Sequence, residues 1–200
     1  MIFYGKHTRL KMKIINVISV ILLCTYASNS FSGGKDYWKT NHFTIIGNEF
    51  ICKPTDPVND KSPCNYLLSN VLEKGWGLTE FKTPSGYLSA NSIFKLLEER
   101  SDWIKLGAAD KQGALNVAQT LANKGFPVIA ASEGAVHGHV ALIIPGEESM
   151  SGKWGLDVPN SASFFLGRPH KSYIGKMLSF AWSSDQKSNV VIFFKAEVPD

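Results

Sequence analysis

The spacing of the apolar residues changes after residue 127, and this change limits the fold more than any other feature of the chain. Between Cys64 and Lys124 apolar residues recur at intervals of three and four, as in helices with one buried face. Beyond Pro127 they come in short runs separated by Gly, Pro and Ser, which is typical of an antiparallel sheet. Helices followed by strands predict an α+β fold with the helices on one face of the sheet.

The same patterns place the individual elements. Helices are predicted over residues 64–75, 92–99 and 109–124, and strands over residues 128–131, 139–144, 154–158, 177–182 and 190–195. Residues 33–60 are polar and contain Pro54 and Pro57, so they are expected to form a loop, with an edge strand over residues 43–46.

The N-terminus has the features of a secretory signal peptide. Lys11 and Lys13 precede an apolar run that is shorter than the roughly 20 residues a spanning helix requires, and small polar residues follow through Ser32. We therefore expect residues 1–32 to be a cleaved leader and residues 33–200 to be a single domain that is secreted or periplasmic, without stable membrane insertion. A retained N-terminal anchor is the alternative.

Composition excludes several classes of function. The net charge of the 200 residues is only +4, and no run of Lys and Arg resembles a nucleic-acid surface, so nucleic acid is not expected as a partner. No Cys/His spacing matches a zinc site and no Gly-rich loop matches a phosphate site. Neither a metal nor a cofactor is therefore expected.

Cys64 is the candidate nucleophile. It follows Pro63 at the start of the first predicted helix, whose buried face includes Leu67 and Leu68. A thiol at a helix start faces unpaired N–H groups and the positive end of the helix dipole. With an imidazole nearby, such a setting lowers a cysteine pKa from about 8.5 to between about 3.5 and 7.5. The same N–H groups can bind the oxyanion of a tetrahedral intermediate.

His139 is the candidate base, because proton transfer near neutral pH needs a group that titrates there. Of the other histidines, His7 lies in the leader, and His42 and His170 lie in polar, loop-like segments. His137 and His139 remain, and His139 is preferred because it begins an apolar run and shares a strand face with Ala141 and Ile143. A strand-start histidine that only bonds a backbone carbonyl is the alternative.

A third group should orient the imidazole through its second nitrogen. Asn160 is the first candidate and Asp157 the second, because both lie on or just after the next predicted strand. Roles in a surface turn are equally natural for both residues.

At these segments the chain resembles the NlpC/P60-like cysteine peptidases, and most closely the type VI secretion effectors that are amidases of peptidoglycan. The resemblance rests on residues 61–71 around Cys64, and on residues 122–131 leading to the Gly-His-Val-Ala sequence within residues 138–146. It departs from the family at Pro63, at Asn65 and Tyr66, and in having a secretory leader.

The resemblance implies a papain-like core, with N-terminal helices packed on an antiparallel sheet. It also implies attack by Cys64, with His139 as base and acid, on an amide of the peptidoglycan stem peptide, the D-glutamyl to diaminopimelate bond. An antibacterial effector of this kind would have an inhibitor (immunity) protein as a second partner.

Two other interpretations stay open. A disulfide between Cys52 and Cys64 would close a short loop, stabilise the fold by about 3 kcal/mol, and leave a secreted, non-catalytic wall-binding or interaction module. Alternatively, the same nucleophile and base would perform acyl transfer or cut another amide.

Overall fold

A six-stranded antiparallel sheet, flanked by helices, forms the centre of the fold. The computed structural model describes residues 33–49, 67–84, 86–165 and 168–200, and these belong to one unit of the chain, residues 31–200. The helices are α1 (Lys35–Glu49), α2 (Leu67–Trp76), α3 (Ala90–Glu99) and α4 (Gln112–Asn123). The strands are β1 (Lys82–Thr83), β2 (Gly86–Tyr87), β3 (Trp103–Ala108), β4 (Val128–Ser132), β5 (His139–Ile143), β6 (Ser149–Ser151), β7 (Leu156–Val158), β8 (Asn160–Ser163), β9 (Tyr173–Met177) and β10 (Val191–Lys195). Short 3-10 helices cover Pro169–Lys171, Leu178–Phe180 and Ser184–Asn189.

The strand order of the main sheet is β3-β10-β4-β5-β8-β9, with each neighbouring pair antiparallel. The last strand of the chain, β10, therefore lies between β3 and β4. Strands β1 and β2 form a small separate ladder, and so do β6 and β7. This mixture of helices and antiparallel sheet confirms the α+β prediction.

The two faces of the sheet carry separate hydrophobic cores, because neighbouring side chains of a strand point to opposite faces. In β4, Ile129 and Ala131 belong to the first core, whereas Val128 and Ala130 belong to the second. Helices α1, α2 and α3 pack on the first core and α4 packs on the second. The prediction that all helices share one face is therefore wrong for α4, since the unpredicted strand β3 carries the chain between the two layers.

Helix α1 replaces the loop and edge strand predicted for this part of the chain. Its buried residues are Trp38, His42, Ile45 and Ile46, which follow one another at intervals of four, three and one, the pattern of a helix with one buried face. The prediction failed because Thr44, Ile45 and Ile46 are β-branched and the rest of the segment is polar. His42, assigned to a loop from the sequence, is buried in this helix.

Gly75 allows α1 and α2 to approach closely. A Cβ at Gly75 would lie 3.0 Å from the ring of Trp38, which packs against Trp76 with ring centroids 4.2 Å apart. The helix does not end at Gly75 as predicted but continues to Trp76, and Gly77 follows with φ 72°.

Two of the predicted C-terminal strands also differ. The segment predicted over residues 154–158 is a strand only at Leu156–Val158, and residues 177–182 contain the 3-10 helix Leu178–Phe180. Leu178, Ala181 and Trp182 are buried together, so their apolar spacing is that of a tight helical turn rather than of a strand.

The predicted leader, residues 1–32, lies outside the described residues. Within the ranges that are described, no helix has the length and apolar character needed to cross a bilayer.

Candidate functional site

His139 begins strand β5 and is held in place on three sides. Its Nε2 lies 2.7 Å from Oγ of Ser163 on the neighbouring strand β8. The imidazole stacks on Phe165, with ring centroids 4.5 Å apart and planes 22° apart, and meets Trp182 edge-on at 5.0 Å. The ring therefore has a fixed position and orientation.

Strand pairing explains why these groups meet. Ser163 of β8 pairs with Ala141, which is two residues after His139 in β5. The side chain of Ser163 therefore lies on the same face of the sheet as the imidazole. On the other side of β5, His139 pairs with Ser132 of β4, whose hydroxyl accepts a hydrogen bond of 2.8 Å from Trp182 Nε1. The sheet thus fixes both the hydrogen-bonding partner and the aromatic neighbour of the imidazole.

The surroundings of His139 keep its imidazole neutral. Burial lowers the pKa of His139 to about 4, and the positive charge of Arg168 contributes to the decrease. At pH 7 the ring is therefore almost entirely in its neutral form. When Nε2–H donates to Ser163 Oγ, the lone pair is on Nδ1, and the structure shows no hydrogen bond from that atom to a described residue.

A cavity of about 780 Å³ lies beside His139, within the size range of small-ligand sites. Leu68 and Val71, in the first turns of α2, contribute to its wall. Aromatic side chains Phe164 and Trp182 line it as well. The cavity is thus lined from both cores of the sheet, at the N-terminal end of β5.

The loop between β4 and β5 forms part of this cavity and is fixed by Asn91. Asn91 Nδ2 donates to the carbonyl of Gly134 at 2.9 Å, and Gly134 N–H donates to Asn91 Oδ1 at 3.1 Å. A Cβ at Gly138 would overlap Asn91 Oδ1 and Ser132 O, so this position requires glycine. His137 is exposed on the same loop and lines the cavity, but it lacks the packing contacts that hold His139.

Cys52 and Cys64 lie outside the described residues, so neither the predicted nucleophile nor the alternative disulfide is located. The described chain resumes at Leu67, three residues after Cys64. His139 lies on the same strand face as Ala141, as predicted, and this face packs on the second core. Helix α2 packs on the first core. What the structure brings together is the beginning of α2 and the imidazole, as two walls of one cavity.

Asn160 does not lie beside His139. Strand β8 is antiparallel to β5, and Ile144 N–H donates to the carbonyl of Asn160, which places Asn160 at the far end of β5 from the imidazole. Its backbone N–H donates to Gln119 Oε1 at 2.7 Å, and its side-chain Nδ2 donates to the carbonyl of Pro145 at 3.0 Å. The prediction of Asn160 as the orienting group is corrected by this register.

Asp157 is also placed elsewhere. It is exposed in strand β7, and its backbone N–H and carbonyl are bonded by the side-chain amide of Gln112 at 3.0 Å and 2.8 Å. Ser163 is the side chain that lies beside the imidazole instead. It belongs to a segment outside the predicted strands, and the β5–β8 register is needed to select it.

Within the described part of the chain, no group of three His, Cys, Asp or Glu residues is arranged to hold a metal ion. No protein-family model matches the sequence, and no curated protein matches it significantly. The features that bear on function are therefore the cavity, the imidazole and the resemblance of the Cys64 and His139 segments.

Proposed function

We propose that this protein is an exported cysteine amidase of the papain-like NlpC/P60 type that cleaves the peptidoglycan stem peptide. Cys64 is the nucleophile, His139 is the base, and the D-glutamyl to diaminopimelate amide is the bond cut. The observation that supports the proposal best is the neutral, firmly held imidazole in a cavity whose wall also includes the beginning of α2.

Chain length is compatible with a position of Cys64 at the cavity. Leu67 comes three residues after Cys64, and three residues span at most about 11 Å. Leu68, the next residue of α2, already lines the cavity that contains His139. A thiol at position 64 can therefore reach the cavity without any movement of α2.

The proposed reaction begins with transfer of the Cys64 Sγ proton to His139 Nδ1. The thiolate attacks the amide carbonyl, and the imidazolium donates its proton to the departing amine. Nδ1 then removes a proton from water, and the resulting hydroxide attacks the thioester and releases the carboxylic acid and the Cys64 thiolate. The imidazolium returns its proton to Sγ, and the acid loses its proton to solvent. Because a thiolate beside the ring favours the imidazolium, the pKa of His139 rises once the pair has formed.

Ser163 is the positioning residue in this scheme. Its hydroxyl lies 2.7 Å from Nε2 and directs Nδ1 to the remaining side of the ring. Ser163 is almost completely buried, so solvent does not compete for this hydrogen bond.

The decisive experiment measures soluble peptide released from purified sacculi by the wild-type protein and by Cys64→Ala. Mass spectrometry of defined muropeptides identifies the bond. Loss of release in Cys64→Ala is expected, and retained release would refute the assignment. Alkylation with and without reduction tests the alternative, since a Cys64 that reacts only after reduction would favour the disulfide-bonded, non-catalytic module.

A further inference from the structure

We propose that Arg168 binds a substrate carboxylate in the His139 cavity and thereby selects peptides that carry a free carboxylate next to the scissile amide. This inference rests on the proposed amidase function and identifies the part of the substrate that the site recognises.

The charges around the cavity support this role. Apart from its histidines, the described wall contains two ionisable side chains, Arg168 and Glu133. Glu133 already has a cationic neighbour, because Lys95 Nζ lies 3.6 Å from its carboxylate. Arg168 has no ion pair with any residue that the structure describes. Arg168 is therefore the cationic side chain of the described wall that remains to meet an anionic ligand, and its exposure leaves it accessible to one.

The position of Arg168 places this charge next to the proposed chemistry. Its backbone N–H donates to the carbonyl of Phe165 at 3.1 Å, and Phe165 is the ring that stacks on His139. The charge is close enough to contribute to the low pKa of His139. A guanidinium binds a carboxylate through two parallel hydrogen bonds, so Arg168 would fix the orientation of a ligand as well as attract it.

The stem peptide offers such a carboxylate. When D-glutamate is linked through its side-chain carboxyl group, its α-carboxylate remains free and lies a few bonds from the amide that is cut. In peptides with D-isoglutamine this group is an uncharged carboxamide. Binding of the carboxylate to Arg168 would also offset the positive charge near His139 and move the pKa of the imidazole upward.

The test compares L-Ala-γ-D-Glu-diaminopimelate with the corresponding D-isoglutamine peptide. Binding to the full chain carrying Cys64→Ala is measured by calorimetry, so that no hydrolysis is needed. We expect the carboxylate peptide to bind about tenfold more tightly. Adding Arg168→Gln should remove this preference. Adding Lys171→Gln, which removes the same charge three residues away and outside the cavity wall, should keep it.

The outcomes separate this inference from the proposed function. A preference that disappears only with Arg168→Gln supports the role of Arg168, even if the wild-type protein hydrolyses neither peptide and the amidase proposal fails. Equal binding of the two peptides, no binding of either, or a preference that survives Arg168→Gln would overturn the role of Arg168, even if the wild-type protein is an active amidase.

Discussion

The two ends of strand β5 differ sharply although β4 pairs with the strand along its whole length. At the His139 end, aromatic side chains surround the single hydrogen bond between the imidazole and Ser163, and a cavity lies beside the ring. At the Ile144 end, polar groups are paired with one another. Polar residue type alone therefore does not distinguish the cavity end of the strand from the end that is closed by hydrogen bonds.

We call the Ile144 end of β5 the closed end, because its polar groups are bonded to one another. Its central residue is Gln119, a buried residue of α4. Its Nε2 donates to the carbonyl of Ile144 at 3.0 Å, and its Oε1 accepts from the backbone of Asn160 at 2.7 Å. Asn123, one turn later, bonds both the N–H and the carbonyl of Gly146, at 2.8 Å and 3.0 Å. These bonds hold Asn160 in the framework, whereas the imidazole of His139 has a single hydrogen-bonding partner, Ser163, among the residues that the structure describes.

The largest expected effect is the loss of peptide release when the His139 end of β5 is changed. Replacing His139 with Gln should lower the release of peptide by about 10³-fold, the effect of removing a general base. His137→Gln is the matched control, since His137 is exposed and lacks a fixed orientation, and it should keep activity within about threefold. The opposite ranking in the sacculus assay would make His137 the base.

The closed end should matter for stability instead. Gln119→Leu leaves the Ile144 carbonyl and the Asn160 N–H without their buried partner, and should lower the free energy of unfolding by about 2 to 4 kcal/mol. Gln112→Leu removes a similar pair of bonds to Asp157 at an exposed position, and about 1 kcal/mol or less is expected. Urea unfolding measures both values. Equal losses would show that burial does not separate the two sites.

The pH dependence of stability tests the environment of His139. Its pKa is about 4 in the folded chain against an ordinary value of 6.5, so between these values the unfolded chain binds more protons. Stability should therefore fall as the pH decreases from about 6.5 to 4, by up to about 3 kcal/mol. Urea unfolding of the wild type and His139→Gln at pH 7 and pH 4 isolates this contribution, and identical decreases would contradict it.

The smallest expected effect comes from the residue that orients the imidazole. Ser163→Ala should lower kcat by about tenfold and shift the acid limb of the pH–rate profile, since the ring loses its partner at Nε2. Ser161→Ala, on the same face of β8, removes bonds to Tyr173 and to the Lys176 carbonyl instead. It should leave the pH–rate profile unchanged. A shared change in both variants would indicate a general loosening of β8.

Local patterns predicted helices α2, α3 and α4 and strands β4, β5 and β10, because their apolar spacing repeats over whole elements. They also predicted that His139 shares a face with Ala141, which the structure confirms. They failed for α1, whose buried face combines Trp38 and His42 with β-branched residues, and for α4, whose sheet face depends on the path of β3.

The hydrogen-bonding partner of the imidazole could not be predicted because it depends on register. Asn160 and Ser163 lie in the same four-residue strand, and the pairing of β8 with β5 decides which one reaches the imidazole. A shift of one residue reverses the face of every side chain in a strand. The pairing in turn depends on packing between distant parts of the chain, including the Gln119 bonds that anchor Asn160.

The central place of β10 affects how the protein is made. Until residues 191–195 leave the ribosome, β3 and β4 have no strand to join them, so the main sheet stays incomplete after its other five strands have been made. Until then the nascent polypeptide must keep both hydrophobic layers from aggregating. A premature stop codon that removes β10 should therefore yield aggregated or degraded product rather than a shortened, soluble protein.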